Sequence, residues 1–251
     1  MVDLRAQYAP LTPPRNRHCR RAPLQAKHRM PWIDLKSRFD GAPLPAYAAP
    51  AIGSRRGGLL LVQEIFGVNA NMRALADRFA ADGYDVLAPA FFARIDPAFD
   101  AGFDEAGYAK ARAAVAASSW TQVAADCQTA IDSLAGDGGP VYVAGFCWGG
   151  TVAWLAACRC TGLTAASGFY GRMIIGLLDE TPSAPIALHY GERDPHIPMT
   201  DVDQVRAAHP NVPIYLYPAG HGFFSDRGGD HDPVQADLAW ARTRALFDAH
   251  T

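Results

Sequence analysis

From Gly58 onward the chain switches repeatedly between two hydrophobic periods. Gly58-Leu59-Leu60-Leu61-Val62-Gln63-Glu64 holds an unbroken apolar run, the pattern of a strand buried on both faces. A helix is predicted from about Asn71 to Asp82, with Leu75 and Phe79 on one face and Gly83 as its stop. Asp85 to Pro89 reads as a short strand ended by its proline. The stretches from about Glu105 to Ala117 and Thr121 to Leu134 read as helices. Val141-Tyr142-Val143-Ala144 is a second buried strand, and the helix-like stretch Thr151 to Ala157 comes soon after it. Three more strands are expected at Ala165 to Tyr170, Pro185 to Tyr190 and Pro213 to Tyr217, with a closing helix from about Pro233 to Phe247. This alternation predicts an α/β fold, a mostly parallel sheet covered by helices on both faces. In such sheets the working residues gather at the carboxyl ends of the strands. No internal repeat or low-complexity tract is visible.

Composition narrows the class. The 251 residues, 49% of them hydrophobic, suit one large domain. A net charge of −2 offers no electrostatic case for nucleic acid or a membrane surface. No apolar run approaches the roughly 20 residues needed to span a bilayer. The five cysteines, Cys19, Cys127, Cys147, Cys158 and Cys160, are spaced like neither a disulfide framework nor a zinc site. Cys158-Arg159-Cys160 reads as packing rather than as a redox pair. A cytoplasmic monomer acting on a small molecule is the expectation. Residues 1–30 stand apart: they hold seven of the 23 Lys and Arg, a single acid (Asp3) and four prolines. No apolar stretch follows Arg20-Arg21, so a secretory or twin-arginine signal is not expected. A disordered extension, an over-long start with Met30 as the true beginning, and a transit peptide are the readings left for it. Residues 31–251 are expected to form the single domain.

The most informative residue is Cys147, in Gly145-Phe146-Cys147-Trp148-Gly149-Gly150, directly after a buried strand and before a helix. Small residues two before, and two and three after, a nucleophile are what a strained strand-to-helix turn requires, because bulk there would collide as strand and helix close together. The turn sets the sulfur at a helix N-terminus, where backbone N–H groups favour a thiolate. This is the nucleophile elbow of the α/β-hydrolase fold, with cysteine in place of serine. A thiol nucleophile needs a base, and the base an orienting acid, in the chain order nucleophile, acid, histidine. Asp194, in the loop Gly191-Glu192-Arg193-Asp194-Pro195, and His221, between Gly220 and Gly222, each follow a predicted strand and supply them. Glu192, His189 and His196 are the nearest rivals.

Gln63-Glu64-Ile65-Phe66-Gly67-Val68-Asn69 is the second unusual stretch. A carboxylate at the end of an apolar strand is costly to bury unpaired, so Glu64 is expected to have a partner. The position suits the loop that donates a second oxyanion N–H, from Ile65, beside that of Trp148.

Taken together, these four stretches resemble the dienelactone hydrolase family over essentially Met30 to Thr251. The resemblance implies an α/β-hydrolase with a Cys147–His221–Asp194 triad that opens a lactone or ester through a thioester, without metal or cofactor. It implies that Glu64 partners the resting thiol, that Arg94 grips a substrate carboxylate, and that Phe66 and Tyr170 line the pocket. The family pattern has a second arginine four residues after the histidine; here Ser225 stands there, leaving Arg227 and Arg172 as candidate replacements. A broad-specificity carboxylesterase or thioesterase is the alternative within the class, and a binding protein that kept the α/β-hydrolase fold without catalysis is the alternative from a different class.

Overall fold

A computed structural model describes residues 32–226 and 230–251. The extension 1–30 and Arg227 therefore lie outside the described residues. Eight strands form one sheet: β1 (Trp32–Lys36), β2 (Pro43–Ala49), β3 (Gly57–Val62), β4 (Tyr84–Pro89), β5 (Val141–Phe146), β6 (Ala165–Phe169), β7 (Ile186–Gly191) and β8 (Ile214–Tyr217). Their order is β1-β2-β4-β3-β5-β6-β7-β8. The first two strands run antiparallel to their neighbours and the rest are parallel.

Among the described residues, six α-helices accompany the strands: α1 (Ala70–Ala81), α2 (Glu105–Ala117), α3 (Trp120–Ala135), α4 (Trp148–Arg159), α5 (Met199–Ala208) and α6 (Pro233–Asp248). Their starts are written in the sequence. Asn69, Asp104, Ser119 and Asp232 each accept a backbone N–H from the first turn that follows them. Both faces of the sheet are covered, as pleating allows. Gly58 faces Leu134 of α3, while Tyr142, one residue out of that register, sends its hydroxyl to the Phe247 carbonyl of α6. Stacking of Phe79 on Trp240 at 4.2 Å joins α1 to α6 on that second face. Among the described residues, no helix is long and apolar enough to cross a membrane.

The predicted elements are all present, with ends shifted by up to three residues. The first strand of the parallel set stops at Val62, so Gln63 and Glu64 begin the loop beyond it. Pattern reading missed β1, β2, α5 and a 3₁₀ segment at Arg172–Leu177. The misses have local causes. β1 buries none of its residues fully, and β2 carries prolines at 43 and 45, which argue against a strand in sequence. Few positions of α5 are buried, so it shows little amphipathic signal.

Candidate active site

Cys147 links the end of β5 to the start of α4 with φ 55° and ψ −116°, a conformation that L-residues with side chains rarely adopt. Its own N–H donates to the Phe169 carbonyl at 3.0 Å, which pins the turn to the end of β6. The small residues around it are required by close approach. A Cβ on Gly145 would fall 1.9 Å from the Gly149 carbonyl oxygen, and one on Gly150 would fall 2.2 Å from that of Phe169. Trp148 opens α4, so its N–H has no acceptor within the helix, and the residue lines the same cavity as Cys147.

The loops after β7 and β8 bring the other two groups to this turn. His221 Nε2 lies 3.2 Å from Cys147 Sγ, and His221 Nδ1 lies 2.7 Å from Asp194 Oδ2. Asp194 serves two ends at once, because its Oδ1 accepts the His196 N–H at 2.8 Å while Oδ2 holds the imidazole. The turn-capping role and the orienting role fall on different oxygens of one fully buried side chain. Burial alone would lower the His221 pKa. The hydrogen bonds to Asp194 and Cys147 outweigh it and raise the group from 6.5 to about 10, so the imidazolium is favoured. Tyr170, itself at φ 41°, packs its ring 4.9 Å from the His221 ring.

The sulfur opens into a cavity of about 690 Å³. Ile65, Phe66, Trp148 and His221 form its floor around Cys147; Tyr108, Arg112 and Val115 of α2 form one wall; Thr151, Arg172, Met173, Ile175, Gly176 and His196 close the rest. Phe66 thus lines the cavity, backed by the rings of Phe103 at 4.6 Å and Tyr108 at 5.1 Å. Glu64 is buried beside Ile65, at the foot of the same loop. Tyr170 differs from expectation: it is fully buried behind the imidazole instead of on the cavity wall. Among the described residues, no three His, Cys, Asp or Glu side chains come together as metal ligands would.

Arg94 also stands elsewhere than expected. Both of its outer nitrogens bond Asp126, and Nε and Nη2 bond Asp40, in a cluster that Ser37 completes through Asp126. The Asp40 pairing and then that of Asp126, working against burial, raise the Arg94 pKa still further, and Asp40 is lowered to about 2. A guanidinium committed to a fully buried aspartate is not spare for a ligand, and Arg94 does not line the cavity. The cavity's positive charge comes instead from Arg112 and Arg172, exposed at its mouth, neither within ion-pair distance of a carboxylate among the described residues. Arg112 escaped sequence reading because an arginine on an alanine-rich helix looks like any solvated residue. Ser225 is buried, its Oγ accepting from Asn71 Nδ2 at 2.7 Å.

A strained turn that sets a cysteine against a histidine at the carboxyl edge of a mostly parallel sheet is the arrangement of an α/β-hydrolase. The chain belongs to the dienelactone hydrolase family, whose sequence model matches residues 44–251. It is 31% identical over 208 residues to a candidate carboxymethylenebutenolidase of Synechocystis sp., covering 75% of this chain and 84% of that one. A protein of the same name from Escherichia coli K12 is 32% identical over 237 residues, covering 87% of this chain and 82% of that one. A crystal structure of a candidate dienelactone hydrolase from Klebsiella pneumoniae superposes with TM-score 0.76 at 28% identity, covering 87% of this chain and 98% of that one. This is a hydrolase of the carboxymethylenebutenolidase type.

Proposed function

We propose that the protein opens lactones or carboxylic esters by acyl transfer to Cys147. The observation that carries this is the unbroken line from Cys147 Sγ through the His221 ring to Asp194 Oδ2, at 3.2 and 2.7 Å, at the floor of a cavity large enough for a small ester. The thiolate attacks the acyl carbon while the Ile65 and Trp148 N–H groups receive the developing oxyanion. The tetrahedral intermediate collapses, the C–O bond of the ester breaks, and imidazolium His221 delivers its proton to the departing oxygen. In a lactone that oxygen stays tethered to the acyl group. Neutral His221 then takes a proton from water, the hydroxide attacks the thioester, and the thiolate leaves with the His221–Asp194 pair restored. Glu64, buried beside the oxyanion loop, would accept the proton of a resting thiol, as the family resemblance suggests.

The reading for substrate is a lactone or ester bearing a carboxylate, with Arg112 and Arg172 as its cationic end. A second reading, a broad esterase without carboxylate preference, draws support from the commitment of Arg94 to Asp126. Cys147→Ala tests the chemistry: turnover of p-nitrophenyl acetate and of dienelactone falls to background while the fold persists. Residual turnover above background would overturn the cysteine mechanism. A panel of dienelactones against neutral esters then separates the two substrate readings.

A further inference from the structure

A second hydrogen-bonded histidine lies inside the sheet, away from the cavity. His189 of β7 is fully buried, with Nδ1 2.7 Å from the Tyr217 hydroxyl and Nε2 3.0 Å from Ser167 Oγ. Thr243 Oγ1 of α6 stands 2.8 Å from Ser167 Oγ and 3.3 Å from Nε2. Four polar side chains from β6, β7, β8 and α6 therefore meet in an otherwise apolar interior, where each hydrogen bond left unmade would be costly. The ring is sandwiched by Phe169 at 4.4 Å and Tyr215 at 5.4 Å. The charged or titratable groups facing it are Tyr217, Tyr215 and Arg242, the last of which lies over both tyrosine rings at 5.1 and 4.5 Å. Burial, reinforced by the Arg242 charge, pushes His189 down to about 3, so the ring stays neutral and offers one donor and one acceptor. It takes no part in the mechanism above.

What it touches is informative. Two residues beyond Ser167, the Phe169 carbonyl holds the Cys147 turn, and Tyr170, next along, packs on His221 while its N–H donates to the His189 carbonyl at 2.7 Å. Asp194 lies five residues beyond His189, and His221 four beyond Tyr217. β8 is the weak member: an edge strand of four residues, bonded to the sheet on one side only, carries the catalytic imidazole. We propose that the Ser167–His189–Tyr217–Thr243 cluster is a positioning device for the triad, a neutral brace that holds β8, and with it His221, in line with Asp194 and Cys147.

The inference rests on the triad reading of the preceding section, which Cys147→Ala tests by itself. Tyr217→Phe and Ser167→Ala each remove one oxygen from the brace and leave every triad side chain intact. In both variants kcat for p-nitrophenyl acetate is expected to fall about tenfold with KM within about twofold, as for a small misplacement of a reacting group. The alkaline limb of iodoacetamide labelling at Cys147, which follows His221 and the groups around it (Asp194, His196 and Tyr170), is expected to move toward neutral pH. Ser167→Thr, which keeps a hydroxyl, restores both. A lower melting temperature with kcat and the labelling profile of wild type, in either single-oxygen variant that folds, shows a merely structural cluster and overturns the proposal. If neither variant folds, Thr243→Val, at the rim of the cluster, decides by the same two readouts. Activity surviving in Cys147→Ala removes the triad reading, and this inference with it.

Discussion

His221 and His189 are flanked by neighbouring aromatic residues, Tyr170 against the first and Phe169 against the second, yet they titrate in opposite directions. His189 is wholly enclosed and meets hydroxyl groups; it falls to about 3. His221 keeps about 12% of its side-chain surface and meets the Asp194 carboxylate at Nδ1 and the Cys147 sulfur at Nε2; it rises to about 10. Desolvation acts against the charged form in both. The difference is the charge of the hydrogen-bonded partner, which in a buried setting outweighs the solvation that was lost. One ring thereby favours its protonated form, and the other its neutral form.

Removing the partner charge is the strongest way to break that comparison. Asp194→Asn keeps the shape but withdraws the anion that raises His221, and kcat is expected to drop about 10³–10⁴-fold. The pH–rate profile checks the cause, since its alkaline limit should slide from near 10 toward the ordinary histidine range.

The same rule extends to the arginines. Arg94 faces a fully buried carboxylate, so Arg94→Ala leaves the Asp126 charge stranded and is expected to cost about 3–5 kcal/mol of stability. Urea unfolding measures this, and KM for a carboxylate-bearing lactone should stay within about twofold of wild type. A large rise in KM with unchanged stability would return Arg94 to the substrate.

The pH dependence of stability sharpens the contrast, because the two rings fail on opposite sides. His189 binds its proton only in the unfolded chain between pH 6.5 and about 3, so its contribution is complete above 6.5 and is lost as pH falls, by about 1.4 kcal/mol per unit. His221 holds its proton in the folded chain, so its contribution is complete below 6.5 and is lost as pH rises through about 10. Thermal melts from pH 4 to 10 of His189→Gln and His221→Gln should flatten the acid and alkaline limbs respectively.

The smallest effect concerns the exposed cations. Arg112→Ala and Arg172→Ala should each lower kcat/KM for an anionic ester by about three- to tenfold at low salt and less at high salt, because solvent screens such contacts. Neutral esters should be unaffected, and equal losses on both kinds would remove the anion role.

Much of the site was legible in the chain because its chemistry is local. The elbow needs small residues within three positions of Cys147, and the loops carrying Asp194 and His221 directly follow strands whose apolar runs announce themselves. The brace was not legible. His189 reads in sequence as a polar interruption of a buried strand, and nothing near it in the chain names Ser167, Tyr217 or Thr243 as partners. Arg94 shows the same limit: the family resemblance implied a carboxylate anchor, while nothing near it in the chain names Asp126, 32 residues away, as its partner.

By itself, then, the sequence determined the α/β layering, the strained cysteine turn and the chain order in which Cys147, Asp194 and His221 follow their strands, since each follows from side-chain period, steric limits and short-range connection. The tertiary structure alone decided which charges are spent within the protein and which face the cavity. It also decided that His221 favours its proton and His189 does not. Ionisation in a low-dielectric interior depends on the groups that folding brings within a few ångströms, and their separation along the chain carries no record of that.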